Sequence, residues 1–148
     1  MGKPYILLVE DNPDDIDLTI RAFERNRIAN EVVVVRDGAQ ACDFLFSEAH
    51  THTRGLPALI LLDLNLPKVS GLEVLQQVRA HATTQLLPTV ILTSSKQEED
   101  LIRGYRLGVN SYVRKPVDFN AFVEAVRQVG LYWLVLNEPP PTAGAGGM

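Results

Sequence analysis

Five short apolar runs punctuate the chain, and between them apolar residues recur at helical intervals. The runs are Tyr5–Val9, Glu31–Val35, Leu59–Leu62, Thr89–Leu92 and Ser111–Arg114. Most are continuous and rich in β-branched residues, as strands buried on both faces should be. After the first run, Asn12-Pro13 supplies a cap and a first-turn proline, and Ile16, Ile20 and Phe23 follow at i, i+4 and i+7. Ala41, Phe44 and Leu45 mark a short second helix behind the Asp37-Gly38 turn. Leu72, Leu75 and Val78 stripe a third, opened by Ser70-Gly71-Leu72-Glu73, which reads as a capping box. Ser95-Lys96-Gln97-Glu98 repeats that signature ahead of Leu101, Ile102 and Tyr105, with Gly108 as the stop. Asp118 caps a last helix carrying Phe119, Phe122, Val126 and Val129. Five β/α units of this kind predict an α/β protein with a doubly wound parallel sheet and right-handed crossovers.

Two segments break the rhythm. Glu48 to Pro57 is a longer surface loop carrying His50 and His52, an H-x-H pair with no third ligand nearby and hence a weak metal signal. Past the last helix, Leu131-Tyr132-Trp133-Leu134-Val135-Leu136 is strongly apolar. Five β/α units already complete a domain, so residues 130–138 read as an apolar extension. Tyr132, Trp133 and Leu134 are then expected to form a dimer or partner contact, the alternative being that they extend the helix and pack on their own domain. Residues 139–148, proline- and glycine-rich, are expected to be a disordered tail behind a single domain spanning 1–138.

A length of 148 residues suits one domain with a proper core. The net charge of −4, with Lys and Arg scattered, argues against nucleic acid or an acidic membrane surface as a partner. Cys42 is the single cysteine and cannot form an internal disulfide, which fits a reducing compartment. No signal peptide is visible, and no run approaches the roughly 20 apolar residues that cross a bilayer. A cytoplasmic protein is expected.

The strands end on charge. The first stops at Glu10-Asp11, the third at Asp63 and the fifth at Lys115-Pro116, while Thr93 closes the fourth. In an open α/β sheet the carboxyl ends of the strands line the ligand crevice. Three carboxylates gathered there repel one another, each pair by roughly 4 kcal/mol at 4 Å and an effective dielectric near 20. Mg2+ answers that repulsion, being hard and oxygen-seeking. Asp11 and Asp63 are assigned as direct ligands, Glu10 as a ligand directly or through water, and the backbone carbonyl of Asn65 as a further candidate. Lys115 offers a compact cation to a transferred phosphoryl group, and Thr93 a hydroxyl. The chemistry that fits is in-line attack by Asp63 on a phosphoryl group, helped by positioning and charge neutralisation. Singly, each residue has an ordinary reading as a helix-start acid, a turn residue or a surface lysine. Jointly, at one end of successive strands, they do not.

From about Ile6 to Val129 the chain resembles the receiver domain of bacterial two-component response regulators. The resemblance rests on Glu10-Asp11, Asp63-Leu64-Asn65-Leu66-Pro67, Gly71, Thr93-Ser94 and Lys115-Pro116. It implies a flavodoxin-like sheet of order 2-1-3-4-5 with five helices. It implies that Asp63 takes phosphate from a phosphohistidine on a sensor histidine kinase, with Thr93, Ser94 and Lys115 contacting the phosphoryl group. It also implies a switch in which Thr93 moves toward that group while Tyr112 rotates inward, and a cis Lys115–Pro116 bond. The loop before the third strand, the Asp63–Pro67 segment and Tyr132-Trp133-Leu134 are similar to stand-alone regulators of bacterial phytochrome kinases. Glu10 departs from the family's more usual aspartate, and Ser95 stands two residues after Thr93.

Three rivals carry distinguishing marks. A phosphatase with an aspartyl-phosphate intermediate needs an acid two residues after its nucleophile, where this chain has Asn65. A flavin carrier on the same architecture needs a neutral phosphate loop, where this chain has Glu10-Asp11-Asn12-Pro13-Asp14-Asp15. An adaptor signalling without phosphate would tolerate loss of part of the acid, threonine and lysine set, which here is complete. The chain therefore reads as a phosphoacceptor switch rather than an enzyme acting on an external substrate, with output through protein contacts to an unidentified downstream protein.

Overall fold

In the computed structural model, which describes residues 4–47, 55–94, 98–116 and 118–138, each apolar run is a strand. These are β1 (Tyr5–Val9), β2 (Glu31–Val35), β3 (Leu59–Leu62), β4 (Thr89–Thr93) and β5 (Ser111–Arg114). Only β4 departs from expectation, running one residue further to take in Thr93. The helices are α1 (Pro13–Arg25), α2 (Gly38–Phe46), α3 (Gly71–Ala80), α4 (Glu98–Arg106) and α5 (Phe119–Gly130). His50, His52, the Ser95–Gln97 start of the expected capping box and the 139–148 tail lie outside the described residues.

All strand pairings are parallel, and the order is β2-β1-β3-β4-β5. Alternate residues of each central strand point to opposite faces. Leu7, Val9, Ile60, Leu62 and Ile91 therefore pack with Ala41 and Leu45 of α2 and Leu72, Leu75 and Val78 of α3. Ile6, Leu8, Leu59, Leu61, Val90 and Leu92 pack on the other side with Ile16, Ala22 and Phe23 of α1 and Phe122 and Val126 of α5. Each fully buried Leu, Ile or Phe in these layers contributes roughly 1.5–3 kcal/mol.

The helix starts follow the sequence signals. Asn12 Oδ1 accepts from the backbone N–H groups of Asp14 (2.9 Å) and Asp15 (3.2 Å). Asp37 Oδ1 accepts from Gln40 (2.7 Å), Ser70 Oγ from Glu73 (3.3 Å) and Asp118 Oδ2 from Ala121 (3.0 Å). These bonds satisfy donors that a helix leaves orphaned. Gly108, at φ 91°, ends the α4 turn in the left-handed region. Ile102 and Tyr105 of α4 face outward, 47% and 53% exposed. The inner side of α4 instead carries Gly104, whose close packing brings Ile91 and Tyr112 against the helix.

The amino end of the sheet is tied by Arg79 in the last turn of α3. Its guanidinium donates to the carbonyls of Gly108 (2.8 Å), Gln85 (3.1 Å) and Leu87 (2.8 Å) and to Asn110 Oδ1 (2.9 Å). Asn110 Oδ1 also accepts from the Thr89 N–H at 2.7 Å, so one fork spans the entries to β4 and β5.

After α5 the chain continues without a break into a π-helical stretch, Leu131–Leu136. The apolar run is thereby divided. Trp133 and Leu134 are half-buried and pack on the α1–α5 core, while Leu131, Tyr132, Val135 and Leu136 remain 42%, 50%, 70% and 65% exposed. Trp133 and Leu134 thus pack at least in part on their own domain. Among the described residues no helix is long and apolar enough to cross a membrane.

Candidate functional site

Glu10, Asp63 and Lys115 stand one position beyond the ends of their strands, and the sheet ladder itself fixes them there. The Glu10 N–H donates to the Val35 carbonyl of β2 (3.0 Å) and the Asp63 N–H to the Val9 carbonyl of β1 (3.0 Å). The Lys115 N–H donates to the Thr93 carbonyl of β4 (2.8 Å). Each backbone is thus held by a neighbouring strand, which is how residues 53 and 105 positions apart converge. The Gly71 N–H bonds the Leu64 carbonyl (3.1 Å), bracing the loop behind Asp63. Lys68 in that loop adopts a left-handed conformation (φ 67°) and pairs with Asp37 at 3.6 Å.

At the centre is the Lys115 ammonium. It contacts Glu10 Oε1 at 2.5 Å, Asp15 Oδ2 at 2.9 Å and Asp63 Oδ2 at 3.4 Å. The second oxygens of the two buried acids face backbone donors, Glu10 Oε2 the Asn12 N–H (3.3 Å) and Asp63 Oδ1 the Asn65 N–H (3.4 Å). Carboxylate oxygens of Glu10, Asp11 and Asp63 lie within 4.8 Å of one another, with Glu10 and Asp63 buried and Asp11 exposed. Three carboxylates thus share one ammonium, with Asp11 beside two of them.

Burial pushes the Glu10 carboxyl up to about 7, against the lowering effect of its hydrogen bond from Lys115, and the nearby Asp63 charge adds to the rise. Burial works to lower Lys115, but the Glu10 hydrogen bond, the Asp63 charge and the Asp15 hydrogen bond outweigh it and raise its pKa. The lysine is firmly cationic, and the cluster retains an excess of acid. A hard divalent cation fits that donor set: all-oxygen, anionic, crowded, and open to solvent on the Asp11 side. Glu10, Asp11 and Asp63 are the side chains that would hold it.

The structure brings together Glu10, Asp11, Asp63 and Lys115 as the sequence predicts, and adds Asp15. That residue carried no site signal of its own, since it reads as a first-turn acid of α1. Thr93 is fully buried at the end of β4 and Ser94 is exposed beside it. Tyr112 pairs in register with Ile91, with its hydroxyl buried. Tyr132, Trp133 and Leu134 lie away from the crevice: Gly130, just before them, packs against Ile28 at the entry to β2.

One expectation is corrected. The Lys115–Pro116 bond is trans, there being no cis peptide among the described residues. The trans isomer is the intrinsic preference of an X–Pro bond, and Lys115 reaches all three acids from it.

Comparison with known proteins agrees with this geometry. The response regulator receiver domain family matches residues 6–127. The probable methanogenesis regulatory protein FilR2 of Methanothrix harundinacea is 42% identical over 139 residues, 93% of this chain and 88% of its own. Response regulator Rcp1 of Synechocystis sp. is 37% identical over 87% of this chain and 88% of its own. The Mn(2+)-bound crystal structure of Rcp1 superposes with a TM-score of 0.85 at 35% identity, covering 94% of this chain and 100% of that one. The phosphorylated cyanobacterial phytochrome response regulator RcpA gives 0.87 at 37% identity, covering 95% and 100%. The bacteriophytochrome response regulator RtBRR is 56% identical with a TM-score of 0.73, covering 98% and 88%. The sheet order accords with these matches, and the chain belongs to the response regulator receiver domain family.

Proposed function

We propose that Asp63 is the phosphoacceptor of a histidine-kinase-driven switch and that Mg2+ is its working cation. The observation that carries this reading is the Lys115 ammonium seated between Glu10 and Asp63 at the edge of the three-acid cluster. An Asp63 carboxylate oxygen attacks phosphorus in line. The new P–O bond forms as the donor's P–N bond breaks, and the histidine nitrogen leaves with the electron pair and takes up a proton. A bound divalent cation supplies charge neutralisation for the gathered oxygens. Lys115 shares the phosphoryl charge, the Asn65 N–H orients Asp63, and the Asn65 carbonyl would serve as the further metal ligand.

Thr93 and Ser94 are read as phosphoryl contacts, and Thr93 with Tyr112 as the switch. Burial of Thr93 on β4, between β3 and the Tyr112 strand, supports that role. Output then leaves through α4, β5 and α5, where Ile102 and Tyr105 offer apolar contacts. Likeness to RtBRR and RcpA supports a bacterial phytochrome as the kinase, and Cys42 as the single cysteine fits a cytoplasmic setting. Tyr132, flanked by exposed Leu131, Val135 and Leu136, is read as the contact to a second copy of the chain.

Intact mass after acetyl phosphate treatment tests the central reading. One phosphoryl group should add to the wild type with Mg2+, with acetate as the leaving group, and none to Asp63→Asn. An adduct that survives in Asp63→Asn would move the acceptor elsewhere. Partner switching that persists in Asp63→Asn would favour a phosphate-independent adaptor.

A further inference from the structure

We propose that Asp15 is a positioning residue that competes with the arriving phosphoryl group for Lys115 and so restrains the phosphorylated state. This rests on Asp63 being the phosphoacceptor. An ammonium has three N–H donors, and the Lys115 partners are Glu10, Asp15 and Asp63, one acceptor for each. A phosphoryl oxygen gains a donor only if one of these gives way. Glu10 and Asp63 belong to the cluster suited to a cation, which takes up their charge when bound; Asp15 does not. The donors freed there can turn to a phosphoryl oxygen, while Asp15 keeps its ion pair and still competes for the Lys115 charge.

The ordinary reading is that Asp15 merely complements the helix start, its N–H on Asn12 Oδ1. Asp14 provides the control. It has the same charge, lies in the same turn and donates its N–H to the same Asn12 oxygen at 2.9 Å, yet is not among the lysine's partners.

Beryllofluoride, an unreactive phosphoryl mimic, is titrated calorimetrically into the full chain at saturating Mg2+. Asp15→Asn should bind it about threefold more tightly than wild type, the fold-change of one partly exposed ion pair. Asp15→Ala, which removes the amide acceptor as well, should do the same. Asp14→Asn should match wild type. Unchanged or weaker beryllofluoride binding in both Asp15 variants, or an equal gain in Asp14→Asn, overturns the assignment. A wild type that takes up no beryllofluoride brings down the phosphoacceptor reading itself and this one with it, a result distinct from a Kd that Asp15 does not move.

Discussion

Gly71 lies so close to Asp63 that a methyl group on it would stand 2.2 Å from the Asp63 carbonyl oxygen. The start of α3 is pressed onto the backbone of Asp63, and only the absence of a side chain permits it. Gly71→Ala should push the two segments apart and cost about 1–3 kcal/mol, as overpacking does. Urea unfolding measures that loss. Acetyl phosphate labelling should slow in the same variant, because the Asp63 carboxylate moves with its backbone. Unchanged stability and labelling would show that the loop yields without consequence.

Removing the Arg79 fork should damage the opposite end of the sheet. Arg79→Ala leaves three carbonyls and Asn110 Oδ1 without their charged donor and should cost about 2–3 kcal/mol. Arg79→Lys should recover only part of this, since a point charge cannot serve four acceptors in a plane. Chemical denaturation of the two variants gives the comparison, and full rescue by lysine would contradict it.

Glu10 sets a pH dependence in the metal-free protein. Its folded-state pKa of about 7 lies above the ordinary 4.5, so between these values the folded chain holds a proton that the unfolded chain has lost. The contribution is fully present below about 4.5 and is lost as pH rises through about 7. In EDTA the wild-type Tm should therefore fall over that window more steeply than that of Glu10→Gln. Parallel profiles would mean that Glu10 is ionised throughout.

The two halves of the terminal apolar run should separate by mutation. Trp133→Ala should lower stability by about 1–2 kcal/mol, part of the cost of truncating a fully buried aromatic, without altering association. Tyr132→Ala should leave stability within about 0.5 kcal/mol and weaken self-association seen by sedimentation. The reverse pattern would exchange their roles.

Much of this was legible because strand runs and caps are local signals. β1, β2, β3 and β5 have the expected bounds, and Asn12, Ser70 and Asp118 cap where their spacing predicts. What escaped depends on contacts between distant positions. Asp15 meets Lys115 across 100 residues, and Arg79 finds its acceptors only once β4 and β5 lie side by side. No local periodicity carries either. Trp133 packs on the layer that holds α1 and α5, a contact that five β/α units, counted along the chain, do not reveal. The apolar Ile102 and Tyr105 likewise face outward because the glycine between them, Gly104, sits against the sheet.

Tyr112 stands on an edge strand, and among the described residues that strand pairs only with β4. A disturbance at Thr93 has a single interstrand gap of about 4.8 Å to cross before it meets solvent. Signal and margin are neighbours. On the proposed switch the rest of the sheet, from β2 through β3, can stay rigid while the β5 border is redrawn, so the message is a change of outline rather than of architecture.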